Sequence, residues 1–253
     1  MLIDSNGSKL YAEYHTIFKN RPTLVFLHDS LGCVKLWRDL PKRIAIACKC
    51  NLLVYDRLGY GKSDAMPTFE RPLHYLELEA DVLNNILESL QIENAILFGH
   101  SDGGSIALIA AAKYQKRIKM VISEAAHIFV EEITLNGIRQ AVHSYETTNL
   151  PLKLQKYHVQ KTEAVFKAWT QTWLRNDFRD WNIENLLPEI NVPLLFIQGE
   201  NDEYGTLNQV EKTISLVNGK SEKYIIPNTG HTPHKEVPEL VLEKVSAFIK
   251  HYF

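Results

Sequence analysis

The pentapeptide Gly99-His100-Ser101-Asp102-Gly103 sits where an apolar run ends and a helix-like one begins, in the stretch AILFGHSDGGSIALIAAA over residues 95–112. A residue on a sharp strand-to-helix turn raises its side chain above the sheet only if its neighbours two positions away are small, and Gly99 and Gly103 meet that demand. A serine raised this way can act as a nucleophile. Its hydroxyl is weak alone, so the chemistry requires a base to take its proton and a third group to orient the base. His231, in NTGHTPH, follows the last strand-like run, and Asp202, in GENDEYG, follows the run before it. The chain order Ser101, Asp202, His231 is the order this arrangement takes when the serine leads.

Elements that would hold these residues are legible along the chain. Short apolar runs recur at TLVFLH 23–28, NLLVYD 51–56, NAILFGH 94–100, KMVISEA 119–125, VPLLFIQG 192–199 and KYIIP 223–227. Runs apolar on both faces suit a buried parallel sheet. Amphipathic helices are predicted between them, one with Leu78, Val82, Ile86 and Leu90 on its buried stripe and a C-terminal one with Val241, Val245, Phe248 and Ile249. The opening SKLYAEYHTIF predicts one or two antiparallel edge strands. The fold class is therefore α/β, a doubly wound, mostly parallel sheet with helices on both faces. In such a sheet ligands bind beyond the carboxyl ends of the strands, and the segments there are HDSLG, DRLGYGKS, GHSDGG, GENDEYGT and NTGHTPH.

One interval breaks the alternation. From about His127 to Pro188 no strand-like run appears, and roughly 60 residues of helix between two strands exceed an ordinary crossover. The predicted division is a first part of the core over 1–126, a helical cap over 127–189 and a second part of the core over 190–253. Within the cap, Phe166, Trp169 and Trp173 are spaced to pack it onto the sheet and to roof an apolar pocket.

Composition narrows the function classes. A chain of 253 residues with 45% hydrophobic and 23% charged residues is an ordinary globular protein of one such domain. A formal net charge of -2 offers no electrostatic attraction to nucleic acid or an anionic membrane. The N-terminal MLIDSNGSKLYAEY lacks a basic segment followed by an apolar one, so a cytoplasmic location is expected. Cys33, Cys48 and Cys50 have no metal-like spacing and are expected to be reduced thiols. The expected partner is a small-molecule substrate, without nucleic acid or membrane, and the expected assembly a monomer or homodimer.

HDSLG, DRLGYGKS, GHSDG and the late pair GENDEYG and GHTPH, in this order at strand ends, resemble the α/β-hydrolase fold family, in its capped serine esterase-like branch. The resemblance spans nearly the whole chain. It implies Ser101 as nucleophile, His231 as general base and then acid, and Asp202 as the orienting carboxylate. It also implies an oxyanion hole made by the backbone N–H groups of Ser30 and Asp102. Where many relatives carry His-Gly, this chain carries His28-Asp29, and the Asp29 side chain is expected to point to solvent. Glu124, at a strand end where some members keep their triad acid, is read instead as facing the pocket. Together with His127 and Trp169 it is a candidate for substrate contact. His100 is expected to pack beside the elbow, His234 to support the His231 loop, and Asp56 and Arg57 to fix loops beneath the site.

A serine at the elbow argues against the dehalogenases and epoxide hydrolases of this architecture, which use a carboxylate there. The expected reaction is hydrolysis of a carboxylic ester, or a related thioester or lactone, of a small or medium substrate through an acyl-enzyme, with no metal or organic cofactor. C–C bond hydrolysis and perhydrolysis use the same triad, although Thr232 stands where the C–C hydrolases commonly carry tryptophan. A small-molecule receptor of the same fold is the alternative from a different class.

Overall fold

In a computed structural model of residues 1–253, eight strands form one sheet: β1 (Leu2–Ser5), β2 (Ser8–His15), β3 (Thr23–Leu27), β4 (Asn51–Tyr55), β5 (Ala95–His100), β6 (Ile118–Glu124), β7 (Leu194–Gly199) and β8 (Ser221–Ile226). Their spatial order is β1-β2-β4-β3-β5-β6-β7-β8. The two N-terminal strands are the antiparallel edge, and every pair from β4 to β8 is parallel.

Strand periodicity explains why these runs read as continuously apolar. Side chains alternate between faces, so Leu24, Phe26, Ile96, Phe98, Met120 and Ile122 enter one core cluster while Val25, Leu27, Ala95, Leu97 and Val121 enter the other. Helices α1 (Leu40–Cys48) and α9 (Pro238–Tyr252), the latter preceded by the short α8 (Pro233–Glu236), cover the first face. The predicted α9 stripe of Val241, Val245, Phe248 and Ile249 is buried there. Helices α2 (Tyr75–Ser89), α3 (Asp102–Lys113) and α7 (Leu207–Leu216) cover the second.

The buried face of α2 includes Ile86, with Val82 and Leu90 packed at its edge as predicted, but not Leu78. It carries Tyr75, Leu76, Glu79, Ala80, Leu83, Ile86 and Leu87, while Leu78 is 44% exposed. Glu79 also faces inward, where its carboxylate meets Arg71 at 3.2 Å and Arg57 at 3.8 Å.

Between β6 and β7 lie α4 (Glu132–Thr147), α5 (Leu150–His158) and α6 (Thr162–Leu174), followed by short 3-10 turns. The end of this segment, with Trp173, Phe178, Trp181, Ile183 and Leu187, is buried in the same cluster as α2 and α3. All three cysteines are free and buried. No helix is long and apolar enough to cross a membrane.

Candidate active site

Ser101 is the single residue between β5 and α3, and its backbone lies at φ 55° and ψ -119°. That left-handed conformation is costly for a residue with a Cβ and persists only where the surroundings impose it. Here the imposition is steric. A Cβ on Gly99 would come to 2.0 Å from the Gly103 carbonyl oxygen, and one on Gly103 to 2.0 Å from that of Leu27. The first turn of α3 therefore presses onto the strands, which raises Ser101 into a cavity of about 380 Å³.

The three predicted side chains form one hydrogen-bonded chain. His231 Nε2 lies 3.0 Å from Ser101 Oγ, and its Nδ1 lies 2.9 Å from both Asp202 oxygens. Asp202 in turn accepts from the backbone N–H of Tyr204 (2.8 Å) and Gly205 (3.2 Å) and from Gln198 Nε2 (2.7 Å). Burial opposes its charge, but His231 and these N–H groups outweigh it and hold the carboxyl below its ordinary range. Burial likewise disfavours an imidazolium at His231, yet Asp202 holds the ring above the ordinary imidazole value. Sequence reasoning did not single out Gln198. Its signal was a polar residue inside an otherwise apolar strand run.

Ser30 and Asp102 line the same cavity as Ser101. Asp102 opens α3, so its N–H has no intrahelical acceptor. In the turn after β3, Leu31 N–H bonds to Asp29 Oδ1 and Gly32 N–H to the Asp29 carbonyl, which leaves the Ser30 N–H without a protein acceptor. The peptide bearing that N–H is anchored through its other end. The Asp29 carbonyl lies 2.8 Å from His28 Nδ1 and accepts from Arg57 Nη2 at 2.9 Å, while Arg57 Nη2 also reaches the Asp102 carboxylate at 3.4 Å. His28 Nε2 accepts the Arg57 N–H at 3.0 Å, which places the ring proton on Nδ1, toward that carbonyl. Asp56 braces the same region by accepting from the N–H groups of Val34 and Lys62. The DRLGYGKS segment thus supports the floor of the site, as its position predicted.

Three candidates fall out differently. Asp29 does not point to solvent: its carboxylate lies 3.2 Å from His100 Nδ1 and 3.9 Å from Lys235 Nζ, and these cations and donors hold it ionised well below the usual range despite burial. Glu124 does not face the cavity. It is fully buried, accepts from the His234 N–H at 3.0 Å, and lies 2.5 Å from His234 Nδ1, because the loop carrying His231 folds over the end of β6. His127 does line the cavity, but its Nε2 is 2.9 Å from the Tyr204 carbonyl, which fixes it within the wall. Trp169 lines the cavity with Ile138, Leu154, Tyr157 and Trp173, all from the inserted helices. Phe166 instead stacks on Tyr145 within that segment, with ring centroids 3.9 Å apart. Tyr204, which the sequence did not flag, packs its ring 4.7 Å from that of His231.

His100, Glu124 and His234 bring potential ligating atoms within 4.8 Å of one another. The facing atoms are already committed: Glu124 to His234, and both His100 nitrogens to Asp29 and to the His231 carbonyl. Neighbouring side chains and backbone thus occupy the positions through which a cation would be bound.

The profile of a family described as the alpha/beta hydrolase fold matches residues 22–184. The chain is 27% identical to the uncharacterized hydrolase YugF of Bacillus subtilis (strain 168), over 97% of this chain and 96% of that one. It is 29% identical to the serine hydrolase BPHL of Mus musculus, over 90% and 79% respectively. The crystal structure of MGS-M2, an alpha/beta hydrolase enzyme from a Medee basin deep-sea metagenome library, superposes with a TM-score of 0.81 at 21% identity, covering 99% of this chain and 97% of that one.

Proposed function

The chain belongs to the alpha/beta hydrolase fold family, and from that premise we propose that it is a serine hydrolase cleaving a carboxylic ester of a small or medium substrate through an acyl-enzyme. The observation that carries this reading is the unbroken chain from Ser101 Oγ through His231 to Asp202, opening into a cavity that Ser30 and Asp102 also line, and we assign their N–H groups as the oxyanion donors. Ser101 Oγ attacks the ester carbonyl while His231 Nε2 takes its proton. The oxygen that gains charge is received by the two N–H groups, which are fixed before the reaction and need no reorganisation. Collapse of the tetrahedral species breaks the C–O bond, and His231 returns the proton to the departing alcohol. Water, deprotonated by the same nitrogen, then attacks the acyl-enzyme and releases the acid.

Cavity size sets the substrate range. A volume of about 380 Å³, walled by Leu154, Tyr157, Trp169 and Trp173, lies at the small end of ligand pockets and suits short or medium acyl chains or an aromatic ring. The test is a p-nitrophenyl ester series from acetate to laurate. The expected kcat/KM peaks at a short or medium acyl chain, and a maximum at laurate would overturn the size assignment.

A further inference from the structure

We propose that the inserted helices position both oxyanion donors, by a separate hydrogen-bonded strut to each, and that His158 and Trp173 are positioning residues for acyl transfer. The inference rests on the reading of Ser101, Ser30 and Asp102 given above.

The first strut starts at His158, the last residue of α5, which is fully buried. Its Nδ1 accepts the Gly61 N–H at 3.1 Å, so the ring proton is on Nε2, which donates to the Leu31 carbonyl at 2.9 Å. Leu31 adjoins Ser30 in the tight turn after β3. Three residues after His158, Lys161 Nζ donates to the carbonyls of Tyr60 (3.2 Å), Gly61 (2.9 Å) and Ser63. This end of the segment is thereby pinned to the loop after β4, and the imidazole stays fixed over the Ser30 turn.

The second strut starts at Trp173 of α6, 2% exposed, whose ring lines the cavity. Trp173 Nε1–H donates to Tyr75 Oη at 2.9 Å, and the Tyr75 hydroxyl donates to the Asp102 carboxylate, 3.2 Å from each oxygen. Asp102 is the residue whose own N–H is the second donor. The roles in this relay are fixed, tryptophan donating, tyrosine accepting and then donating, and carboxylate accepting, so direction runs from the inserted helix to the elbow.

The struts leave different helices and end beside different donors, one on the carbonyl of the residue after Ser30 and the other on the side chain of Asp102. An oxyanion hole works through donors held at the position of developing charge, and a small misplacement of an N–H weakens the transition state more than the ground state. A shift of the inserted helices would loosen both N–H groups at once.

The experiment compares wild type with His158→Leu, His158→Gln, Trp173→Phe, Tyr75→Phe and the double variants, using p-nitrophenyl butyrate. Two binding measurements accompany the kinetics: a trifluoromethyl ketone, which forms a tetrahedral adduct, and butyrate, which does not. Each strut-breaking change is expected to lower kcat/KM about tenfold and ketone affinity by the same factor, and at His158 and Tyr75, which lie outside the cavity lining, to leave KM and butyrate affinity within about twofold. His158→Gln, which retains a donor, recovers part of the loss. Breaking both struts multiplies to about a hundredfold, whereas Trp173→Phe with Tyr75→Phe is no worse than the stronger single change. Should His158→Leu fail to fold, judged by near-UV circular dichroism, Tyr75→Phe, which retains its ring and lies outside the cavity lining, carries the test. Equal losses of ketone and butyrate affinity, or ketone affinity unchanged while kcat/KM falls, would overturn the proposal. A folded wild type that neither turns over the ester nor takes a fluorophosphonate on Ser101 would instead remove the reading beneath it.

Discussion

His231 and His234 stand three residues apart, and each has a carboxylate on its Nδ1, yet their surroundings shift the two imidazoles in opposite directions, His231 up and His234 down. Asp202, the partner of His231, receives two backbone N–H groups and the Gln198 amide besides the imidazole. It stays ionised, and His231 is held above its ordinary pKa with Nε2 turned to Ser101. Glu124, the partner of His234, receives only one backbone N–H and the ring. Burial pushes its carboxyl up to about 7 and pulls His234 down to about 3, so between those values the pair holds one proton and carries no net charge. The difference teaches that a histidine–carboxylate contact alone does not make a base: the carboxylate must also stay ionised, which Asp202 does through His231 and its added N–H donors and the more deeply buried Glu124 does not.

The largest expected effect separates the two carboxylates by activity. Asp202→Asn should lower kcat by on the order of 10³ to 10⁴-fold with little change in melting temperature, because the imidazole loses its tautomer and its counter-charge. Glu124→Gln should leave kcat within about tenfold. Losses of similar size in steady-state ester hydrolysis would break the distinction.

Stability should reverse the ranking. Glu124→Ala strands His234 in an apolar interior, and urea unfolding should report a loss of about 3 kcal/mol. The milder Glu124→Gln changes the pH dependence. Between about pH 4.5 and 6.5 the native pair and the unfolded pair each hold one proton, so in wild type they add no slope. With glutamine the unfolded chain holds one proton more, on His234, and stability should rise by about 1.4 kcal/mol per pH unit relative to wild type over that window. Parallel slopes for the two proteins would contradict proton sharing.

The pH–rate profile should show the third contrast. A base must be neutral to act, so activity falls as pH drops through the pKa of His231, and the acid limb of kcat/KM should lie above about 6.5. As a stability term the sign is opposite: a raised imidazole pKa contributes most below the unfolded value and fades as pH rises through the folded one. The smallest effect is expected from Glu203→Gln. That carboxylate accepts the His231 N–H at 3.2 Å and adds to the field holding the ring protonated, so the acid limb should move down by a few tenths of a unit. An upward shift would contradict that role.

The parts legible in the sequence were those whose physics is local. Gly99, Ser101 and Gly103 announce a turn that only small neighbours permit, and buried strands announce themselves by apolar runs that fill both faces. Asp202 and His231 followed from the rule that polar residues gather at strand ends. What escaped depended on partners distant along the chain. Asp29 looked free to enter solvent because nothing nearby showed that His100 and Lys235 would reach it. Glu124 looked like a pocket residue because a strand end does not reveal that the His234 backbone will cover it. Leu78 falls off the α2 stripe because leucines occur on adjacent faces, and only the buried Arg57 and the partly buried Arg71 show that Glu79 turns inward. His158 carries no local signal, since its meaning lies in two backbone groups from other loops.

The most direct measurement is the intact mass of wild type and of Ser101→Ala after exposure to a fluorophosphonate at neutral pH. One adduct per wild-type chain, absent from the folded variant, is the predicted result and identifies an activated serine at the elbow. A folded wild type that gains no mass, or an equal adduct on the variant, would contradict the assignment of Ser101 as the nucleophile.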